Sequence, residues 1–185
     1  MKTTNMDYKE VNKVLSGFLP EQLIEDGERF LNMSHWSKNS NDVFEEKKKE
    51  KGFPEAFFNE KLNRIYIGIA CEFFLKALFI TKGFDIYKYE LIKPLKIDNP
   101  TESIKRQNRT IELGFMIDNI KEILSLQEQD LKQLKEGMEI IRKWRNGEIH
   151  ISNNVIEYDP CEHNLTQFAV NTLIAEIKKL KNKSK

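Results

Sequence analysis

The chain has little cysteine, proline or glycine, and it has no long apolar run. Its 185 residues include two cysteines, five prolines and eight glycines. Cys71 and Cys161 lie far apart, which fits neither a disulfide framework nor the ligand spacing of a zinc site. The longest apolar stretch, Ile65 to Ile80, is too short to span a membrane and contains Glu72 and Lys76. We therefore expect plain thiols, no metal or other cofactor, and no membrane partner.

The first residues of the chain do not have the pattern of a signal for export. This segment, MKTTNMDYKEVNK, contains no apolar run that would serve as a signal peptide. Free thiols are typical of reducing compartments. Together these features predict a cytoplasmic location.

An excess of positive charge is a third absence. Lysine and arginine number 30 against 29 acidic residues, for a formal net charge of +1, and five of the lysines lie in the last eight residues. The rest of the chain is therefore slightly acidic, which counts against non-specific, high-affinity binding of nucleic acid. A small basic groove formed by Arg142, Lys143 and Arg145 would still suit RNA.

Long stretches rich in Glu, Lys, Leu and Ile predict an all-α protein, a bundle of about four to five main helices. We expect one domain overall, with a peripheral N-terminal helix and loop over 1–52, a helical domain over 53–182 and a lysine-rich end at 183–185. The predicted helices begin at Pro20, with Gly27 weakening or interrupting the first, at Pro54 with an end at Gly83, at Thr110, near Leu131 and at Pro160.

The most informative stretch runs from Leu131 to Ser152, LKQLKEGMEIIRKWRNGEIHIS. Leu131, Leu134, Met138 and Ile141 recur at steps of three and four, which places them on one buried helix face. Arg145 comes next on that face. A guanidinium that is removed from water keeps its charge, so it needs a carboxylate, a phosphate or carbonyl groups as its partner.

A histidine follows shortly after this arginine. On an unbroken helix Arg145 and His150 would point about 140° apart. Gly147 is able to adopt a positive φ, so we expect it to break the helix and let His150 return towards Arg145. Beyond the histidine, alternating residues around Asn153-Asn154 suggest a short turn or β-hairpin.

These residues resemble the Arg-x4-His motif of the HEPN domain family, in which a polar residue, often Asn as at Asn146, follows the arginine. The segment IYIGIACEFFLKALFITKGF is similar to the long core helix of HEPN proteins, and RTIELGFMIDNI occupies the place of the helix before the motif. Together the resemblance covers roughly Phe53 to Lys179. It implies an HEPN-like fold with Arg145 and His150 as the catalytic pair and Asn146 as a polar auxiliary.

The resemblance further implies a metal-independent endoribonuclease, acting in a toxin or abortive-infection setting as a homodimer with a composite site. RNA would be the substrate, and an antitoxin or another protein would be a possible partner. Chemically, a histidine provides a general acid or base near neutral pH, while an arginine provides a bidentate donor to phosphate. A two-fold dimer would bring two of each to one phosphate.

Two alternatives to this interpretation remain open. One is a non-catalytic HEPN-like module that binds a nucleotide, RNA or protein, with Arg145 buried against Glu72 or against Glu148 on its own helix. The other is an unrelated helical bundle in which the Arg-x4-His spacing is a coincidence. A stripe of the central helix, with Glu72 at its centre, also has two interpretations. It is either a solvent-facing ladder of ion pairs, or a support in which Glu72 orients Arg145 or His150 and one glycine lets another backbone come close. The stripe consists of Glu60, Arg64, Gly68, Glu72 and Lys76.

Overall fold

The computed structural model describes residues 20–36, 46, 48–84, 86, 110–149 and 159–183, with the backbone alone at 53–58, 147–149 and 183. Within these ranges 84% of the residues are helical and none belongs to a strand, which confirms the predicted all-α class. Among the described residues, 46 and 48–51 are helical, and a 3₁₀ turn at Ile120–Glu122 accompanies five helices with defined bounds. These are α1 (Pro20–Met33), α2 (Phe53–Thr81), α3 (Leu113–Asp118), α4 (Glu128–Ile149) and α5 (Pro160–Lys183).

Several predicted features lie outside the described residues. They are His150, the turn or hairpin around Asn153-Asn154, and the end of the lysine-rich tail. The division of the chain at residue 52 also stays a prediction.

The predicted boundaries of α2 agree closely with the structure. The helix begins beside Pro54 and ends just before Gly83, whose φ of 82° is left-handed. The Gly83 N–H donates to the Ile80 carbonyl at 2.9 Å, and the Phe84 N–H donates to the Phe79 carbonyl at 3.0 Å. The rings of Phe79 and Phe84 meet edge to face with centroids 5.7 Å apart. Glycine thus closes α2 with a Schellman motif and its hydrophobic contact.

The third helix is shorter than the sequence suggested. It begins at Leu113 rather than Thr110, because Glu112 just before it is extended, with a ψ of 156°, and the Ile111 N–H donates to the Ile86 carbonyl at 2.7 Å. It ends after six residues, where the backbone N–H and the side-chain amide of Asn119 both donate to the Phe115 carbonyl. An asparagine that bonds to the nearby backbone in this way favours termination of the helix.

Helix α1 packs directly against α2, and Gly27 lies at their contact. A Cβ at Gly27 would come within 2.6 Å of the Phe74 ring and 3.3 Å of the Ala70 carbonyl oxygen. The prediction that Gly27 interrupts this helix is wrong, since α1 is continuous from Pro20 to Met33. The lack of a side chain instead lets the two helices approach closely.

The core is built around α2, which contacts α1 and α4 most extensively and also meets α5 and α3. Leu75, Leu78 and Phe79 are fully buried in it, and Leu134, Met138 and Ile141 reach it from α4. Helix α5 begins as predicted at Pro160, where the Asp159 carboxylate accepts the Cys161 N–H at 2.8 Å. None of the helices in the described ranges is long and apolar enough to cross a membrane.

Candidate functional site

The second half of α4 lies against a charged stripe of α2. The Arg145 guanidinium donates through Nη2 to Glu72 Oε2 at 2.8 Å. The Arg145 side chain is 33% exposed and that of Glu72 is 14% exposed. The sequence predicts an anionic or carbonyl partner for Arg145 at the end of the apolar stripe. In this structure that partner is the Glu72 carboxylate.

Glu72 also binds a second cation. Lys76 Nζ donates to the other oxygen, Oε1, at 2.7 Å, and the Lys76 side chain is only 11% exposed. Each oxygen of one mostly buried carboxylate therefore meets a different cation. Charge-assisted bonds of this length are stronger than those between neutral groups.

A glycine on α2 allows this contact. A Cβ built at Gly68 would lie 2.8 Å from Arg145 Cβ, which is closer than real Cβ contacts come. Gly68 lies one turn before Glu72 on α2. Because Gly68 has no side chain, α4 approaches α2 closely at this point. The arginine then reaches the carboxylate from the side of its own helix.

A second ion pair precedes the glycine by one turn. Arg64 Nε donates to Glu60 Oε1 at 3.3 Å, and both side chains are mostly buried. The Arg64 guanidinium carbon also lies 4.8 Å from the centre of the Trp144 ring. Trp144 and Arg145, which are neighbours on α4, therefore each contact a charged side chain of the same α2 stripe.

The other predicted site residues on α4 are Asn146, Arg142 and Lys143, and they differ in whether they contact Arg145. Asn146 is exposed, and its Oδ1 accepts a hydrogen bond from Arg145 Nη1 at 3.3 Å. Arg142 pairs with Glu139 on its own helix at 2.7 Å and lies beside α3 at Gly114. Lys143 is exposed. The structure thus joins Arg145 to Glu72 and Asn146, whereas Arg142 lies against a different helix.

A family model for a domain of unknown function, DUF3644, matches residues 53–184, which is more than half of the chain. The chain belongs to the DUF3644 family. No curated protein and no solved structure matches it. The DUF3644 match begins at the start of α2 and extends past the end of α5, so it includes Glu72, Arg145 and every contact just described.

The charged stripe of this DUF3644 chain combines both interpretations of its sequence. Glu60 pairs with Arg64 and Glu72 pairs with Lys76, as an i,i+4 ladder requires. The stripe does not face solvent, however, because the side chains of these four residues are only 11–14% exposed. Since α4 covers it, Glu72 is able to hold Arg145 as well.

The predicted break at Gly147 is wrong. Helix α4 continues through Gly147 and ends at Ile149. A single glycine inside a helix costs only about 1 kcal/mol relative to alanine, which the rest of a long helix readily offsets. His150 follows directly and lies outside the described residues, so its position relative to Arg145 stays a prediction, as do the catalytic roles of all these residues.

Trp144 was not predicted as part of the site, and Lys76 was predicted only as a member of the charged stripe. A tryptophan beside Arg145 and a lysine four residues after Glu72 were the available signals. Their burial depends on which helix covers them, and the local pattern does not contain this information.

Two further observations bear on chemistry near the site. Cys71, next to Glu72 in sequence, faces the core, where burial raises the pKa of its thiol to about 12. It is therefore an unreactive packing residue. The part of the chain that the structure describes contains no cluster of three or more His, Cys, Asp or Glu side chains placed to hold a metal ion.

Proposed function

We propose that this DUF3644 protein is a metal-independent endoribonuclease of the HEPN type, which cleaves RNA at a composite homodimer site in a toxin or phage-defence setting. One observation carries the proposal. An arginine at the end of α4 is anchored by Glu72 through one guanidinium nitrogen while a third of its side chain stays exposed. A fixed, partly exposed guanidinium suits the recognition of a phosphate.

The chemistry requires no metal. The 2′-hydroxyl of RNA attacks the adjacent phosphorus while a base removes its proton, and the bond to the 5′-oxygen breaks as an acid protonates the leaving group. The products are a 2′,3′-cyclic phosphate and a 5′-hydroxyl. In this scheme Arg145 stabilises the charge that develops on the phosphate, and His150 transfers protons.

Asn146 supports the proposal as an auxiliary residue. It is exposed, and its side-chain oxygen accepts a hydrogen bond from Arg145, which leaves its NH₂ group to donate to the phosphate or to the imidazole. Arg142 and Lys143 then guide the RNA backbone towards the site. A two-fold dimer that joins the ends of two α4 helices supplies the second histidine needed for separate acid and base roles.

A second function is favoured by the same contact. Glu72 neutralises part of the Arg145 charge, as expected of a structural ion pair in a non-catalytic module that binds a nucleotide, RNA or protein. The two functions share the fold, so only activity separates them.

The test is cleavage of a labelled single-stranded RNA in EDTA by the wild type, Arg145→Ala and His150→Ala. Arg29→Ala is the matched control, because Arg29 is an exposed arginine that pairs with Asp26 on α1. We expect the wild type and the control to give products with 2′,3′-cyclic phosphate ends. Both site variants should lose at least about a hundredfold in rate, the usual contribution of an acid–base or charge-stabilising group.

Sedimentation and circular dichroism accompany the assay, so that loss of the fold or of the dimer is recognised. If the wild type cleaves several RNAs no faster than Arg145→Ala and His150→Ala do, the ribonuclease proposal fails. RNA binding without cleavage would then support the binding module.

A further inference from the structure

The two oxygens of Glu72 receive two different cations, one from α2 and one from α4. Oε1 receives Lys76 at 2.7 Å, and Oε2 receives Arg145 at 2.8 Å. Glu60, about three turns earlier, receives Arg64 on Oε1 from its own helix. Glu72 thus joins an ion pair within α2 to a charged side chain of α4.

The charges of the three residues that meet at Glu72 do not cancel. Lys76, Glu72 and Arg145 together carry one net positive charge, whereas Glu60 and Arg64 cancel each other. Lys76 is among the few charged or polar residues in the core, with a relative exposure of 8%. A positive charge that little water reaches attracts an anion more strongly than a surface charge does.

Lys76 also limits how Glu72 holds the arginine. A carboxylate and a guanidinium prefer to meet through two parallel hydrogen bonds when both oxygens are accessible. Here Lys76 occupies one oxygen, and Arg145 contacts the other through a single nitrogen. A guanidinium has five N–H groups. Although Nη1 donates to Asn146 Oδ1 at 3.3 Å, the second N–H group that a bidentate pair would direct at Glu72 stays available on the partly exposed side chain.

We propose that Lys76 is a positioning residue, which keeps Arg145 available to a phosphodiester by occupying one oxygen of Glu72. The proposal rests on the proposed function only for the nature of the anion, the phosphodiester of RNA. Lys76 itself does not touch the substrate. It acts through Glu72. Without Lys76, both carboxylate oxygens of Glu72 are able to accept hydrogen bonds from the Arg145 guanidinium.

The experiment measures binding of a fluorescein-labelled 2′-O-methyl RNA oligonucleotide by fluorescence anisotropy. This RNA contains phosphodiesters but has no free 2′-hydroxyl, so binding is measured without cleavage. The variants are Lys76→Met, Lys76→Arg, Glu72→Gln and the double variant Glu72→Gln with Lys76→Met. Lys132→Met is the matched control, because Lys132 is an exposed α4 lysine in an i,i+4 pair with Glu136.

We expect Lys76→Met to weaken binding by at least about fivefold, since one charge-assisted contact to the phosphate is lost. Lys76→Arg should restore affinity, because it supplies a cation to the same oxygen. In the Glu72→Gln background, Lys76→Met should change affinity by less than about twofold, because no carboxylate remains to capture the arginine. Lys132→Met should bind like the wild type. Melting curves identify any variant that fails to fold, and the Glu72→Gln pair then carries the test.

Equal losses on replacing Lys76 with and without Glu72 would show that the lysine acts through its own charge, which overturns the proposal. An unchanged affinity for Lys76→Met, or a wild type that binds no RNA, overturns it as well. Failure of the ribonuclease proposal has a different result. There the expected binding pattern holds, yet the wild type does not cleave RNA that carries its 2′-hydroxyls.

Discussion

Helix α4 is held in place by different forces in its first part, Glu128 to Ile141, and in its second part, Arg142 to Ile149, which are called its first and second halves below. In the first half, Leu134, Met138 and Ile141 are fully buried, and Gly137 lies directly against the Leu165 carbonyl of α5. In the second half, Trp144 and Arg145 meet the charged stripe of α2. One continuous helix therefore passes from apolar packing to directional polar contacts.

Under the proposed function, this difference predicts that stability and RNA cleavage depend on different parts of α4. Apolar burial stabilises in proportion to the area removed from water and depends little on direction, so the first half contributes most to folding. The ion pair between Glu72 and the one-third exposed Arg145 contributes little free energy but fixes the orientation of the guanidinium. Substitutions in the first half should therefore change stability, and those in the second half should change RNA binding and cleavage.

The largest effect on stability is expected at Gly137. A Cβ there would collide with the Leu165 carbonyl and approach Ala169 Cβ at 2.9 Å, and neither the backbone nor a Cβ atom is able to rotate away. Gly137→Ala should lower the free energy of unfolding by more than about 3 kcal/mol, despite the better helix propensity of alanine. Urea denaturation followed by circular dichroism measures this.

Gly114→Ala is the control for that substitution. A Cβ at Gly114 would meet the end of the Arg142 side chain at 3.4 Å, and this flexible group is free to move. Its stability should change by less than about 1 kcal/mol. Equal losses at both glycines would contradict the close approach of α4 and α5.

The next largest loss of stability is expected when a side chain on the buried apolar face of α4 is shortened. Ile141→Ala removes a fully buried side chain and should cost about 2 to 3 kcal/mol through lost burial and the cavity that remains. Ile140→Ala is the comparison, since Ile140 is the same residue type and is only partly buried. Urea midpoints that shift equally for the two variants would mean that the stripe does not face the core as described.

The buried face of the first half of α4 could be predicted from the sequence, because apolar residues on one helix face recur with a period of 3.6 residues. The stripe at Leu134, Met138 and Ile141 was confirmed, although Leu131 is only partly buried. The start of α5 at Pro160 was also predicted correctly, since caps and prolines act within a few residues.

The contacts between the second half of α4 and the charged stripe of α2 could not be predicted in the same way. An i,i+4 pair such as Glu72 and Lys76 has the same spacing whether it is exposed or covered, and only the arrival of α4 decides between these states. The end of α4 was also predicted wrongly, because the local preference of Gly147 is weak beside the stability of a long helix. The roles of Arg145 and His150 stay predictions from a family resemblance.

Gly68 offers a way to disturb the second half alone. Gly68→Ala places a Cβ 2.8 Å from Arg145 Cβ, so α2 and α4 must separate slightly at the site. We expect a loss of about 1 to 2 kcal/mol in stability, typical of moderate overpacking, and a larger proportional loss of RNA affinity. Anisotropy with the 2′-O-methyl RNA and urea denaturation are both needed. A variant that loses stability yet binds RNA normally would show that the Arg145 position is unimportant.

The smallest change in stability, with the greatest loss of RNA binding and cleavage, is expected for Arg145→Ala. The arginine is one-third exposed, and Glu72 keeps Lys76 as a partner after its removal, so the free energy of unfolding should fall by no more than about 1 kcal/mol. Binding of the 2′-O-methyl RNA should nevertheless weaken at least about tenfold. Ile141→Ala should do the reverse when assayed under conditions where it is folded. If Arg145→Ala instead destabilises the protein as much as Ile141→Ala and leaves RNA binding intact, the arginine is a structural residue, and both halves of α4 serve only the fold.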